Sequence, residues 1–470
     1  MKKIFPIIIM AVVAMLLTTT ACINDEYATS ASDVLTFSTD TVTFDTVITQ
    51  QGTPTKQFIV YNRSSKQVKI SSIKVAGNDN GRFFINVDGV KGSEFHDVDI
   101  RGGDSIYVFV ECKVNATENL TDLLEVTDSI QFVTNGVAQH VVLKAWGQDV
   151  NIIHGDTLKE DLQLTAEKPY VIYDTLTVPQ GVTLTIDPGA QLLFHKGALL
   201  RVYGQLLARG TAEQNIVMRG DRLDKVVGDI SFDIMSGQWG GIVFGYGSYG
   251  NEMTYVVMRS SEIGIHCSST DPQQRTLYLL NSVIHNSSSS LLTSLNARID
   301  AEGTEFSDAA DGVVHIIGGT ARFVNCTLAN YYLFAAISEP IVNVWKSHET
   351  EQVLPLTCYL DNCVIYGLAK DINAGVLDDY DVYLRHCLLK SAGSDDAHFI
   401  NCVWEGDPKF YTVREDYIFD YRLHNGSDAI GRGDRSLCPE SARYDRYGND
   451  RYSSDAIDLG AYVWIPEPEE

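Results

Sequence analysis

The sequence predicts an all-β chain: a β-sandwich, then a solenoid of short parallel strands, then a closing cap. Three observations carry this. Alternating strand-like runs bounded by turn residues fill residues 34–150. From residue 151 the runs shorten, and Gly/Pro corners between them leave no room for crossover helices. A six-residue frame then recurs down the chain, and four of its six intervals are 21–24 residues.

The first 22 residues read as a targeting segment. Lys2 and Lys3 open it, Ile4 to Leu17 is apolar, and Thr18-Thr19-Thr20-Ala21-Cys22 closes it. The apolar run is too short for a stop-transfer helix. A small residue directly before Cys22 resembles a bacterial lipobox. Thr19 stands where stricter versions carry Leu, so the resemblance is to the looser form of Bacteroidota. It implies that Cys22 is lipidated and becomes the mature N-terminus, held to an outer membrane without spanning it. The acids in Ile23-Asn24-Asp25-Glu26 resemble the surface-export signal of such lipoproteins. Surface display is therefore expected, with periplasm-facing attachment as the alternative. Residues 23–33 are a short polar linker.

The formal charge of −25 excludes nucleic acid as a natural partner. It also repels anionic polysaccharide unless a local basic groove or a bound cation intervenes.

Residues 34–150 hold runs such as Val42-Thr43-Phe44-Asp45-Thr46-Val47 and Ser105-Ile106-Tyr107-Val108-Phe109-Val110. Seven to nine strands in about 115 residues suggest an immunoglobulin-like sandwich. Phe44-Asp45-Thr46-Val47, Val60-Tyr61-Asn62, Gly103-Asp104-Ser105-Ile106 and Ala145-Trp146-Gly147 resemble the Ig-like modules of the DUF1573 and ASPM/SPD-2/Hydin type. Such modules space or bind. Asp followed by Ser or Thr and an aliphatic residue recurs here and just beyond. It resembles an O-glycosylation site of exported Bacteroidota proteins, and implies Thr41, Thr46, Ser105, Ser129, Thr157 and Thr175 as acceptors. Turn-then-strand propensity is the alternative.

Residues 151–410 form the solenoid, and 411–470 its cap and tail. The frames begin at Arg259, Asn281, Glu302, Asn325, Asn362, His386 and Asn401. Their second position carries Cys326, Cys363, Cys387 and Cys402. Stacked coils align these in one column, read as small buried thiols rather than a metal or redox ladder. Asn281, Asn325, Asn362 and Asn401 form a column one place earlier, expected to hydrogen-bond along the axis. The block Arg219-Gly220-Asp221 with Gly237-Gln238-Trp239-Gly240-Gly241-Ile242 resembles the right-handed parallel β-helix lipoproteins of Bacteroidota. Phe419-Asp420-Tyr421-Arg422-Leu423 and Asp458-Leu459-Gly460-Ala461-Tyr462 are similar to their closing segments. A cap is expected over the last coil, with Tyr421, Leu423, Ile430, Leu459 and Tyr462 on that end and Arg422, Arg451, Asp455 and Asp458 pairing around it.

No GxxxxGK, GxSxG or HExxH pattern appears. Asp308 and Asp311 are the nearest carboxylate pair for a Ca²⁺ ion, but they sit where a turn is expected. The 37-residue interval from Asn325 to Asn362 is long by about one coil. It hides either another coil or a loop over residues 338–357. As a loop, Trp345 would stack on a sugar ring beside Lys346, with Tyr331 and Tyr332 in the same patch. His348 with Glu349 or Glu351 is an acid/base pair only if geometry brings them together. As a coil, Trp345 would lie inside. The main functional expectation is a lipid-anchored envelope protein presenting a β-helix face to glycan or protein. The alternatives are a polysaccharide lyase or glycoside hydrolase of the β-helix type, and a structural envelope protein.

Overall fold

A computed structural model describes residues 26–49, 51–77, 82–115, 123–228, 230–345, 353–373, 377 and 381–468. The chain divides into two compact units, at Asp149 and Val150. Cys22 lies outside the described residues, as do Lys346, His348, Glu349 and Glu351.

The first unit is a β-sandwich of two five-stranded sheets. Strand Thr41–Ile48 pairs in parallel with Val137–Gln148, which pairs antiparallel with Leu124–Thr134. Alternation sets the faces: Ile106, Val108 and Val110 point inward, while Tyr107 is exposed. Phe58 and Phe132 meet edge to face at 6.2 Å in the core. The recurring Asp has a local role. Asp104, Asp128 and Asp156 each accept a hydrogen bond from the next residue's backbone N–H, at 2.7–2.8 Å. At Asp104 and Asp156 this opens the following strand or bridge, whereas Asp128 lies within the strand Leu124–Thr134.

The second unit is a parallel β-helix. Three parallel sheets of ten, seven and ten strands stack coil on coil among the described residues. One coil runs through Val283–Ser287 in the first sheet, Leu292–Leu295 in the second and Arg298–Glu302 in the third. The next coil repeats this from Glu305–Ala309, and every pairing between coils is parallel. Ile284, Phe306, Leu328 and Ile365 stack inward in one continuous core. Each such side chain contributes roughly 1.5–3 kcal/mol by leaving water. Trp239 is inside too, stacked on Phe194 at 4.1 Å with its Nε1 donating to the Arg259 carbonyl at 2.8 Å.

The pairing corrects the frame. Val257 pairs with Val283 and Val283 with Glu305, so two coils begin at Tyr255 and Gly303, not at Arg259 and Glu302. In the corrected frame the first position is a left-handed corner between the third and first sheets. Tyr255, Asn281, Gly303, Asn325, Asn362, His386 and Asn401 all have φ between 47° and 56°. Asn and Gly tolerate this conformation best, which accounts for the Asn column.

The expected axial amide stack is largely absent. Asn362 reaches Asn325 Oδ1 only at 3.5 Å. The amides instead donate to backbone carbonyls of the closing segment: Asn281 to Tyr444 at 3.0 Å, Asn325 to Asp458 at 3.1 Å and Asn362 to Asp434 at 2.9 Å.

The cysteine column is inside. Cys363 donates to the Phe323 and Asp361 carbonyls, and Cys387 to those of Leu360 and Arg385. Ser282 and Thr304 hold the same position in earlier coils and donate to the same type of carbonyl. The column is thus a file of small donors that satisfies corner carbonyls. The eight cysteines among the described residues are free thiols.

The 37-residue interval is one coil with two long connections. Thr327 pairs directly with Val364, and Val342–Trp345 is its second-sheet strand. The closing segment takes a different course from the one expected. It lies along the outer face of the first sheet, because that face is apolar. Val364 and Leu388 point outward there and pack under Leu423, Ala429 and Leu459. The expected charge pairing also differs. Arg451 is buried and donates to the carbonyls of Ala442, Gly460 and Ala461, while Asp458 accepts from the backbone of Gly431 and Trp464.

Candidate functional site

The outward columns of the first sheet change character near its middle. One column reads Val257, Val283, Glu305, Thr327, Val364, Leu388. The next reads Arg259, His285, Ser307, Ala329. Glu305, Ser307, His285 and Arg259 therefore form a polar island on an otherwise apolar face. The segment Asp416–Tyr421 crosses above it. On one side lies a cleft of about 420 Å³, walled by Arg259, His285, Glu305, Asp420, Arg446 and Tyr462. On the other lies a hollow of about 410 Å³ beside Asp233 and Ile234. Arg259, His285 and Phe419 belong to both.

A buried polar network lies beneath. The Tyr462 hydroxyl donates to Glu305 Oε2, and Ser307 Oγ donates to Glu305 Oε1 at 2.5 Å. His285 Nδ1 lies 2.9 Å from Ser307 Oγ and 3.5 Å from Asp308 Oδ2. Asp308 accepts from the Tyr421 hydroxyl and the Tyr331 backbone N–H, both at 2.7 Å. Phe419 covers the His285 ring at 4.9 Å.

Burial sets the acidities. Loss of water raises Glu305 above the usual carboxylate range, against the lowering by its Ser307 and Tyr462 donors. The same desolvation lifts Asp308 to about 7, against the Tyr421 hydrogen bond. It drops His285 to about 3, helped by the Arg259 charge, so that ring is neutral at pH 7. Asp420 goes the other way. Burial pushes it up, but Arg422 outweighs this and holds it low through bonds of 2.9 Å and 2.5 Å. One cleft thus holds a carboxyl whose acidity burial weakens and a carboxylate whose acidity its arginine strengthens.

The residues singled out from sequence are placed as follows. Asp308 is buried and holds two tyrosines, while Asp311 is bonded to Ser289 at 3.0 Å, so the pair is not gathered round one cation. Tyr331 packs near Tyr421 at 6.4 Å, against the buried network. Tyr332 is buried, with its hydroxyl 2.6 Å from Ser236 Oγ. Trp345 ends a strand of the second sheet and is 44% exposed. It thus lies at a different corner of the coil from the two tyrosines. Thr157 is exposed, and Thr41, Thr46, Ser105, Ser129 and Thr175 are half-buried. Glu305 was missed. A one-residue slip of the frame put Thr304 in the column where Glu305 interrupts Val283, Thr327 and Val364.

No family model matches the sequence, and no curated protein matches it. Similar solved structures include a family 123 glycoside hydrolase from Clostridium perfringens, at 8% identity and a TM-score of 0.17. That match covers 24% of this chain, which spans only 25% of the other. A GH87 α-1,3-glucanase catalytic unit from Streptomyces thermodiastaticus strain HF3-3 gives 11% identity and 0.26, over 74% and 73% of the two chains. A GH87 α-1,3-glucanase catalytic domain in complex with nigerose gives 9% and 0.15, over 75% and 88%. Overlaps this shallow carry no argument about activity, and the β-helix rests on the strand pairing above.

Proposed function

We propose that the cleft beneath residues 416–421 binds a glycan and that Glu305 and Asp420 act on it as an acid/base pair. The observation that carries this is the opposed acidity of two carboxyl groups on one cleft, the pattern acid/base catalysis requires. Glu305 would give its proton to the departing glycosidic oxygen, and Asp420 would take one from the attacking water. Tyr417 and Tyr447 are exposed rings on the same cleft, suited to stacking on a sugar. This reading favours a β-helix glycoside hydrolase over a purely adhesive or structural protein.

A second reading, glycan binding without cleavage, is favoured by Glu305 itself. Both its oxygens already accept a hydrogen bond within the chain. A screen of polysaccharides for new reducing ends separates the two. Cleavage by the wild type that falls at least about a hundredfold in both Glu305→Gln and Asp420→Asn supports hydrolysis. Cleavage that survives both substitutions overturns it, and retention of a glycan without cleavage supports the second reading.

On the same footing, the chain is an outer-membrane lipoprotein anchored through Cys22. Incorporation of a labelled fatty acid that persists in Cys22→Ser would contradict this. O-linked sugar on Thr157, the exposed member of its set, belongs to the same proposal, and an unmodified mass for the mature chain removes it.

A further inference from the structure

We infer that the cleft takes an anionic sugar, with its carboxylate held between the guanidinium groups of Arg259 and Arg446. This rests on the cleft being a glycan site and adds the class of glycan.

Arg259 and Arg446 both wall the cleft. Among the described residues, the carboxylate within ion-pair reach of Arg259 is Asp233, at 3.9 Å, and Asp233 is already held by Arg219 at 2.7 Å. Arg446 donates from Nη2 to a neutral acceptor, Asn215 Oδ1, at 2.9 Å. Its Nε is buried and has no hydrogen-bond partner among the described residues. A buried unmet donor on a cation is unfavourable, and this one, closed to solvent, meets an acceptor from the cleft only if the Arg446 side chain turns toward it. The acids on the cleft do not supply one. Asp420 is held by the Nε and Nη2 of Arg422 in a two-pronged pair, and Glu305 is held by Ser307 and Tyr462. Among the described residues, the cleft is therefore walled by two guanidinium groups that no carboxylate meets at hydrogen-bond distance.

This is set against a chain of formal charge −25. Such a surface repels polyanions, and only a local cationic recess admits one. Arginine suits the task because its planar fork matches a carboxylate with two parallel hydrogen bonds.

The test uses the full chain and two matched probes, oligogalacturonate and its fully methyl-esterified form, beside an array of neutral oligosaccharides. The free-acid form is expected to bind at least about tenfold more tightly than the ester at low salt, with the gap closing as salt rises. Arg259→Gln is expected to remove that preference. Arg446→Lys keeps the charge and loses the fork, so it should retain part of it, whereas Arg446→Gln should not. Circular dichroism of each variant separates lost binding from lost fold. Equal binding of acid and ester, or an unchanged preference in Arg259→Gln, overturns the inference. Binding of neutral oligosaccharides alone overturns it while leaving the cleft as a glycan site. Binding of neither class overturns both.

Discussion

The Tyr421 hydroxyl donates a 2.7 Å hydrogen bond to Asp308, joining residues 113 positions apart. It pins the closing segment to the middle of the first sheet and seals the floor of the cleft. Both groups are buried. Tyr421→Phe leaves Asp308 with one donor fewer and should cost about 1–3 kcal/mol at pH 8. Hydrogen exchange of residues 416–423 should rise in this variant while exchange in the inner strands stays slow. Uniform exchange changes would argue against a local latch.

The same carboxyl makes stability depend on pH. Asp308 titrates near 7 in the folded chain and near 4 in an unfolded one. The folded chain therefore keeps a proton that the unfolded chain gives up between about pH 4 and 7, so the contribution of Asp308 to stability falls as pH rises through that window. The slope is at most about 1.4 kcal/mol per pH unit for this one group. Glu305, also raised, adds in the same direction, whereas His285, neutral in the folded chain but charged below about pH 6.5 in an unfolded one, opposes both over most of that window. Across that range the melting point of Asp308→Asn should rise with pH relative to that of the wild type. An unchanged pH profile in that variant would remove Asp308 as the cause.

Asn362 serves two ends at once. It holds a left-handed corner at φ 53°, and its amide exchanges two hydrogen bonds with the Asp434 backbone, at 2.9 Å and 2.8 Å. Asn362→Gly loses only the hydrogen bonds. Asn362→Ala loses them and adds the left-handed penalty, about 1–2 kcal/mol. Thermal melts should rank wild type above Gly and Gly above Ala. Ala equal to Gly would show that the corner geometry does not matter there.

Cys363 is fully buried in the corner column, and desolvation raises its thiol well above the ordinary value. It should resist a thiol reagent until the helix unfolds. Cys363→Ser keeps the small donor that Ser282 and Thr304 provide elsewhere, and should be tolerated. Cys363→Leu overfills the corner and should cost about 1–3 kcal/mol. Comparable melting points for the two would deny the column its packing role.

The β-helix was legible because its signals are local. Short apolar runs, Gly/Pro corners and a recurring Asn at the left-handed corner each act within one coil. The cysteine column was legible for the same reason. The cleft was not. It is built by residues from three coils together with residues between Tyr417 and Tyr462 far downstream, and no local pattern records that return. A slip of one residue in the frame also placed Thr304 where Glu305 belongs. In a sheet whose side chains alternate, one place separates the core from the outer face. From sequence the closing segment reads as an end cap because its apolar residues need cover. Val364 and Leu388 on the outer face supply the partner that the sequence left unspecified.

Hydrogen exchange of the full chain with and without a bound oligosaccharide tests the location of the site most directly. Protection should concentrate at residues 283–287, 305–309 and 416–421, and should persist in Trp345→Ala. Protection confined to the strand around Trp345, with none beneath residues 416–421, would contradict the cleft as the functional site.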